Sequence, residues 1–84
     1  MTKEEILRSF KNIVADEVED DDFELTMETV SDDIIGWDSI AHVGIVVSLE
    51  EKFDIKFAPS QITTFENVGA MVDAIQRLIE ASPK

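Results

Sequence analysis

Apolar residues recur at helical spacing in three separate segments of this 84-residue chain, which limits it to a fold of packed helices. A capping box, formed by Thr2 and by Glu5 three residues later, predicts the start of the first helix. This helix should end between Ala15 and Val18, because the acidic residues that follow oppose the negative end of the helix dipole. Its recurring apolar residues are Ile6, Phe10, Ile13 and Val14.

The other two periodic segments predict two further long helices. The second helix should run from Ser39 to Lys52, with Asp38 as its N-cap. Its broad apolar face consists of Ile40, Val43, Val46, Val47, Leu49 and Phe53. The last helix should begin near Asn67, another favourable N-cap, and end before Pro83. Its apolar stripe consists of Val68, Met71, Val72, Ile75, Leu78 and Ile79.

Residues 19–37 show no sustained period and form a long first loop. We expect this loop to be anchored by its apolar residues, which are Leu25, Met27, Val30, Ile34 and Ile35. Further along the chain, Pro59 favours a short helix that reaches Thr63. The predicted fold class is therefore all-α, an irregular four-helix bundle of three longer helices and one short helix, in a single domain over residues 1–84.

Acidic residues dominate the charge of the chain. Nineteen acidic and seven basic residues give a net charge of −12. A field of this sign repels nucleic acid and anionic lipid surfaces, and it attracts partners that have basic patches. No apolar run has the length of a membrane span, and the first residues do not resemble a signal peptide. We therefore expect a cytoplasmic protein with neither nucleic acid nor membrane as a partner.

The inventory of reactive side chains is poor for an enzyme. The chain has no cysteine, no tyrosine and a single histidine, His42. Disulfides, thiolate metal sites and a cysteine nucleophile are excluded by this composition. Because no nucleophile and base can be paired from these residues, we expect a protein that is not an enzyme.

Residues 36–40 (Gly-Trp-Asp-Ser-Ile) open the second helix and contain the main candidate site. A group attached to the hydroxyl of Ser39 would lie over unpaired backbone N–H groups and the positive end of the helix dipole. A phosphodiester is stabilised at such a place. Asp-Ser also begins many helices with no further role, so this segment alone leaves both interpretations open.

Three further segments stand in register with this motif. The first consists of the regularly spaced valines that follow Ser39. The second is residues 50–55 (Glu-Glu-Lys-Phe-Asp-Ile), and the third is residues 62–65 (Ile-Thr-Thr-Phe), which precede the last helix. This order resembles the acyl carrier protein family, whose signature is Asp-Ser-Leu with Glu-Glu-x-Phe at the end of the same helix. The variant Trp-Asp-Ser-Ile-x-His is similar to discrete carrier proteins rather than to the main carrier of fatty-acid synthase. The resemblance covers nearly the whole chain.

The resemblance implies a covalent cofactor, 4′-phosphopantetheine, which a phosphopantetheinyl transferase attaches to Ser39. It also implies that Asp38 caps the helix and helps to present the site to the transferase and its magnesium. The arm ends in a thiol, on which acyl or aminoacyl groups travel as thioesters between enzymes of a biosynthetic pathway. The expected function is therefore that of a monomeric acyl carrier, with no resident metal.

The resemblance further implies contacts with acyl-activating, acyltransferase or synthase enzymes that have basic docking surfaces. The residues at the matching positions are Ile40, Val47, Glu50 and Glu51. Alternatively, Val47 belongs to the core and the glutamates form a solvated helix end. The family often has acidic residues at the positions of Ala41 and Gly44, so a dedicated set of partners is favoured here. The segment of residues 57–62 is a few residues shorter than its counterpart in fatty-acid carriers. We therefore expect that no long acyl chain is held inside the bundle.

Trp37 and His42 stand at the two positions of a hydrophobic staple, before the N-cap and at the fourth helical residue. The structural interpretation is a stack that sets the entry angle of the loop. The alternative is that one of the two residues contacts the arm or its cargo.

The acidic residues 20–24 suggest a calcium loop, but they lack the glycine at position six and the glutamate at position twelve of an EF-hand. A solvated loop is the better account of this segment. Two other classes of function stay open beside the carrier. One is a helical adaptor for a basic partner, and the other is a module that binds a divalent ion.

Overall fold

The computed structural model describes residues 2–59 and 67–81, and this part of the chain contains three α-helices, a 3₁₀ turn and no strand. Helix α1 spans Lys3–Val18, the 3₁₀ turn Ser31–Asp33, α2 Ser39–Phe53 and α3 Val68–Ala81. The all-α class is confirmed, and the predicted helix ends agree with these bounds to within one residue. Beyond Pro59, the short helix predicted to reach Thr63 lies outside the described residues, as does Pro83.

Helix α1 begins with the capping box expected from its sequence. The hydroxyl of Thr2 accepts a hydrogen bond from the backbone N–H of Glu5 at 3.2 Å, and the carboxylate of Glu5 accepts one from the backbone N–H of Thr2 at 2.9 Å. The bond from the Thr2 backbone is the main reason that the pKa of Glu5 is lowered. Directly after this cap, Lys3 forms an ion pair with Asp73 of α3 at 2.7 Å, which lowers the pKa of that carboxyl.

The core lies between α1 and the two other helices, both of which pack against it. Among the residues that the structure describes, Phe10 is the largest side chain that is completely removed from solvent. The residues that share this full burial are Ile6, Val14, Ile45, Leu49, Val72 and Ile75, and they come from all three helices. Burying a side chain of this kind stabilises the fold by about 1.5–3 kcal/mol, so these few residues supply much of the driving force.

The long loop packs on the core through some of its expected anchors. Leu25 and Ile34 are buried, and Met27 is partly buried. The expectation was wrong for Val30 and Ile35, which are exposed. The backbone is extended at Ile34, so the next side chain points to the opposite side and Ile35 is directed into solvent.

The loop also caps the start of α3 with its own backbone. The N–H of Val68 donates to the carbonyl oxygen of Thr29 at 2.8 Å, and the N–H of Gly69 donates to that of Met27 at 2.7 Å. The next N–H of the helix donates to the side chain of Asn67 at 2.9 Å, which confirms Asn67 as the N-cap. Three N–H groups that a helix start leaves without intrahelical partners are thereby satisfied.

Replacing Gly69 with alanine tests this junction. A Cβ at Gly69 would stand 2.8 Å from the carbonyl oxygen of Met27, so the loop backbone would have to move away from α3. We expect Gly69→Ala to lower the free energy of unfolding by about 1–3 kcal/mol, the usual cost of overpacking. Urea unfolding followed by circular dichroism measures this change.

Gly44→Ala is the matched control, since Gly44 also lies within a helix. A Cβ at that position would meet the carboxylate of Glu17, which is the end of a flexible, exposed side chain. We expect Gly44→Ala to raise stability by up to about 1 kcal/mol through helix propensity. If the two variants changed stability equally, the backbone contact at Gly69 would not be the cause.

Candidate functional site

The start of α2 projects from a tight turn at the end of the long loop. Gly36 has φ of +96°, a conformation that favours glycine, and a Cβ there would also stand 3.2 Å from the Cβ of Val18. Two residues later, Asp38 has an extended backbone, and its carboxylate accepts a hydrogen bond from the N–H of Ala41 at 2.8 Å. The predicted N-cap is confirmed, and the turn directs the next residue, Ser39, outward.

Ser39 is exposed and is the first residue of α2. In the part of the chain that the structure describes, the backbone N–H groups of Ser39 and Ile40 donate no hydrogen bond. These two donors and the positive end of the helix dipole face the same region as the serine hydroxyl. The arrangement is suited to an anionic ester on that hydroxyl.

Trp37 connects this exposed site to the core. Its indole is buried and lies against Phe10, with ring centroids 6.1 Å apart. The indole N–H donates to Nδ1 of His42 at 3.1 Å, and the two rings are stacked at an interplanar angle of 22°. The staple interpretation is confirmed. A contact of either residue with an arm or cargo stays a prediction, and Trp37 has only 8% of its surface exposed.

An exposed apolar strip follows Ser39 along α2 and consists of Ile40, Val43 and Val47 (the α2 strip). Ile40 is 82% exposed and Val47 is 46% exposed, so the alternative that Val47 belongs to the core is wrong. The buried face of the helix consists of Ala41, Ile45, Val46 and Leu49. Ile35, at 92% exposure, adds a further apolar side chain in the loop that precedes the helix.

The two glutamates near the end of α2 have different surroundings. Glu50 is half-buried, and its carboxylate accepts a hydrogen bond from the N–H of Phe57 at 2.9 Å, so it holds the connection that follows the helix. Glu51 is exposed. Both residues line an open groove of about 650 Å³, together with Val47 and Leu78. The structure therefore brings three of the four predicted partner residues to one groove, with Ile40 further up the helix.

The acidic residues of the first loop do not form a metal centre in the described ranges. Asp20, Asp21 and Asp22 are exposed, and the carboxylate of Asp20 accepts the N–H of Asp22 at 3.0 Å in a local turn. Within residues 2–59 and 67–81, no three histidine, aspartate or glutamate side chains cluster in a way that could hold a metal ion. Nor does any helix in these ranges have the length and apolar character needed to cross a membrane.

Sequence reasoning missed two features near the site. Ile35 is among the residues expected to anchor the loop, although its position directly after the buried Ile34 indicates that it faces outward. The second feature is Glu17 of α1, whose carboxylate lies against Gly44 of α2. No local pattern indicates this contact, because it depends on how α1 packs against α2.

Two substitutions of Asp38 separate its capping role from its charge. Asp38→Ala removes the acceptor for the Ala41 N–H, and we expect it to lower the free energy of unfolding by about 0.5–2 kcal/mol. Asp38→Asn keeps an oxygen in place and should retain most of the stability. Urea unfolding measures the stability of both variants. Equal losses in the free energy of unfolding would show that the hydrogen bond of the cap is not the stabilising element.

His42→Ala removes the acceptor for the buried indole N–H of Trp37. We expect a loss of about 1–3 kcal/mol in stability, the cost of leaving a buried donor unsatisfied. The near-ultraviolet circular dichroism signal of the single tryptophan should also change in this variant. Unchanged stability and an unchanged tryptophan signal would contradict the structural role of this pair.

Comparison with known proteins shows which family the chain is similar to. Residues 8–75 match the family described as "Phosphopantetheine attachment site". The acyl carrier protein of Exiguobacterium sibiricum is 32% identical over 76 residues, which cover 90% of this chain and 96% of that protein. The meromycolate extension acyl carrier protein of Mycobacterium leprae is 30% identical over 84 residues, which cover the whole of this chain and 73% of that protein.

A solved structure agrees with the fold as well as with the sequence. The solution NMR structure of a holo acyl carrier protein from Geobacter metallireducens superimposes with a TM-score of 0.80 at 32% sequence identity. The match covers 94% of this chain and 95% of that one. An identity of this size, over nearly the full length of both chains, makes the likeness one of sequence as well as of helical topology.

Proposed function

This chain belongs to the acyl carrier protein family, and we propose that Ser39 is the residue to which its cofactor is attached. The protein is an acyl carrier and not an enzyme, and the cofactor is covalent 4′-phosphopantetheine. The observation that supports Ser39 is the position of its hydroxyl, exposed at the first residue of α2 and directly after the N-cap. This position also falls within the matched residues 8–75.

The surroundings of Ser39 fit a phosphate ester. The free N–H groups of Ser39 and Ile40 and the positive end of α2 favour negative charge on the serine oxygen. The carboxylate of Asp38 is held in its cap by Ala41, which leaves the hydroxyl of Ser39 open to a partner. When bound, the arm supplies the thiol that this cysteine-free chain lacks, and acyl groups are held there as thioesters.

In the attachment reaction Ser39 acts as a substrate of the transferase. Its oxygen forms a bond to the phosphorus of coenzyme A that bears the pantetheine arm, while the bond from this phosphorus to the bridging oxygen breaks. The nucleotide leaves with the bridging oxygen as part of its own phosphate. The proton of the hydroxyl must pass to a base of the transferase. The nearby imidazole of His42 already accepts the indole N–H of Trp37 at Nδ1, so it is not available to take this proton at that atom.

The carrier needs partner enzymes, and we propose that they dock along α2. The α2 strip offers exposed apolar surface that begins beside Ser39, and the exposed Glu51 adds negative charge at its far end. Partners with basic docking surfaces match this charge, namely the phosphopantetheinyl transferase and acyl-activating, acyltransferase or synthase enzymes. Glu50 also serves the fold through its bond to Phe57, so we expect Glu51 to contribute more to docking.

The finer features of the carrier are also part of the proposal. A short helix from Pro59 to Thr63 would complete an irregular four-helix bundle, and residues 1–84 would form one carrier domain. We propose that the protein acts as a monomer in the cytoplasm. Its cargo would remain outside the bundle, as expected for a discrete carrier with its own set of enzymes.

Intact-mass analysis tests the attachment site. The parent protein, incubated with coenzyme A, magnesium and a broad-specificity phosphopantetheinyl transferase, should gain the mass of one phosphopantetheine. Ser39→Ala should gain nothing, because no hydroxyl is available at that position. The matched control is Ser31→Ala, which removes another exposed serine at the first residue of a helical turn and should be modified like the parent.

Two results would overturn the proposal. One is a parent protein whose mass does not change although the transferase modifies a reference carrier in the same tube. The other is Ser39→Ala modified as fully as the parent. Circular dichroism of Ser39→Ala should match that of the parent, so that loss of modification is not loss of the fold.

A further inference from the structure

The outward face of α2 contains little charge of its own near Ser39. Residues 40, 44, 47 and 51 follow one another at intervals of three or four, and residue 43 is three positions from 40 and four from 47, so all five lie on one side of the helix. They are Ile, Val, Gly, Val and Glu, so their one charge belongs to Glu51, and Glu50, which accepts the N–H of Phe57, lies beside it at the same end of the helix. Glu51 is twelve positions after Ser39, which is about 18 Å along the helix axis at 1.5 Å per residue.

A carboxylate from α1 fills the gap in this face. A Cβ added to Gly44 would stand 2.6 Å from the carboxyl carbon of Glu17 and 2.8 Å from its Oε2, and closer still to Oε1. The carboxylate thus occupies the place where a larger residue would have its side chain. Gly44 is about 7.5 Å from Ser39 along the helix axis, so this charge is much nearer to the site than Glu51 is.

The carboxylate of Glu17 is also available to a partner. Glu17 is exposed, and it makes no hydrogen bond within the described residues. The one ion pair in those ranges joins Lys3 and Asp73. No basic group therefore neutralises Glu17 in this part of the chain.

We infer that Glu17 supplies, from α1, the negative charge that the docking face of α2 lacks close to Ser39, and that it pairs with a lysine or arginine of the enzyme that docks there. The inference rests on the proposed function, because it needs partners that approach Ser39 along the α2 strip. Apolar side chains with one carboxylate beside them are complementary to an apolar surface with one basic group. Gly44 has a positioning role, since a side chain there would displace the carboxylate from this place.

Transfer kinetics test the inference through the modification of Ser39. With coenzyme A saturating, kcat/KM for the carrier should fall about two- to fivefold in Glu17→Gln at low salt, the effect of losing one exposed ion pair. The difference should shrink at high salt, because exposed charges are then screened. Asp16→Asn is the matched control. It removes the same charge from the neighbouring residue, whose side chain lies about 100° away around the α1 axis, and should stay near the parent value.

Moving the carboxylate from residue 17 to residue 44 separates the effect of its charge from the effect of changing the side chain at residue 17. In Glu17→Ala combined with Gly44→Glu, the carboxylate returns to the same face from α2 itself, and kcat/KM should recover to the parent value, because the exposed ion pair is restored. The matched double variant, Glu17→Ala with Gly44→Gln, has a neutral side chain of the same size and should remain slow. Urea unfolding of all variants verifies that each is folded at the assay temperature.

The outcomes distinguish this inference from the proposed function. A parent protein that is not modified at all contradicts the proposed function. A parent that is modified normally, with Glu17→Gln equal to it or with Asp16→Asn equally slow, overturns the inference and leaves the carrier role intact. The inference is likewise wrong if the Gly44→Glu double variant is as slow as the Gly44→Gln one.

Discussion

The backbone hydrogen bonds between the long loop and the start of α3 hold the fold in the form that its function needs. The carbonyl oxygens of Met27 and Thr29 accept the first two N–H groups of α3, so each segment satisfies polar groups that the other leaves open. Gly69 permits this close approach because it has no Cβ to meet the carbonyl oxygen of Met27. A loop of this length would otherwise be free to move, and the start of α2 would have no defined position.

Trp37 fixes the position of the candidate attachment site at the end of this ordered loop. Its indole is buried against Phe10 and bonded to His42, so the residue before the N-cap is fixed by the core on one side and by the helix on the other. Asp38 then caps α2, and Ser39 follows with its side chain in solvent. An exposed hydroxyl on a fixed helix start suits a carrier, because the hydroxyl must reach the active site of another protein while the fold behind it stays intact.

The surface around the site combines contributions from separate elements. The α2 strip provides exposed apolar side chains, and α1 brings the carboxylate of Glu17 against Gly44. The net charge of −12 extends the same sign over the molecule. Long-range attraction raises the rate at which basic partners arrive, while a few local contacts decide their orientation. A carrier that visits several enzymes benefits from such docking, because rim charges steer encounter without making the complex long-lived.

Much of this protein could be predicted from the sequence, because the signals for it are local. The capping box of Thr2, the N-caps Asp38 and Asn67 and the helical spacing of apolar residues indicate three helices and their starts. Asp-Ser at the head of a helix, with the segments that follow in register, indicates the family and the candidate serine. The Trp37 and His42 positions likewise predict a staple, since both belong to one helix start.

Tertiary packing decided what such local patterns cannot express. Helix α2 has apolar residues on both sides, and their periodicity does not indicate which side is covered by the rest of the fold. Only the packing of the helices shows that Ile40 and Val47 face outward. The bonds of Glu50 to Phe57 and of the loop carbonyls to α3 join residues that have no local signal for each other. The same holds for Glu17, which lies beside Gly44 only because two helices distant in sequence cross there.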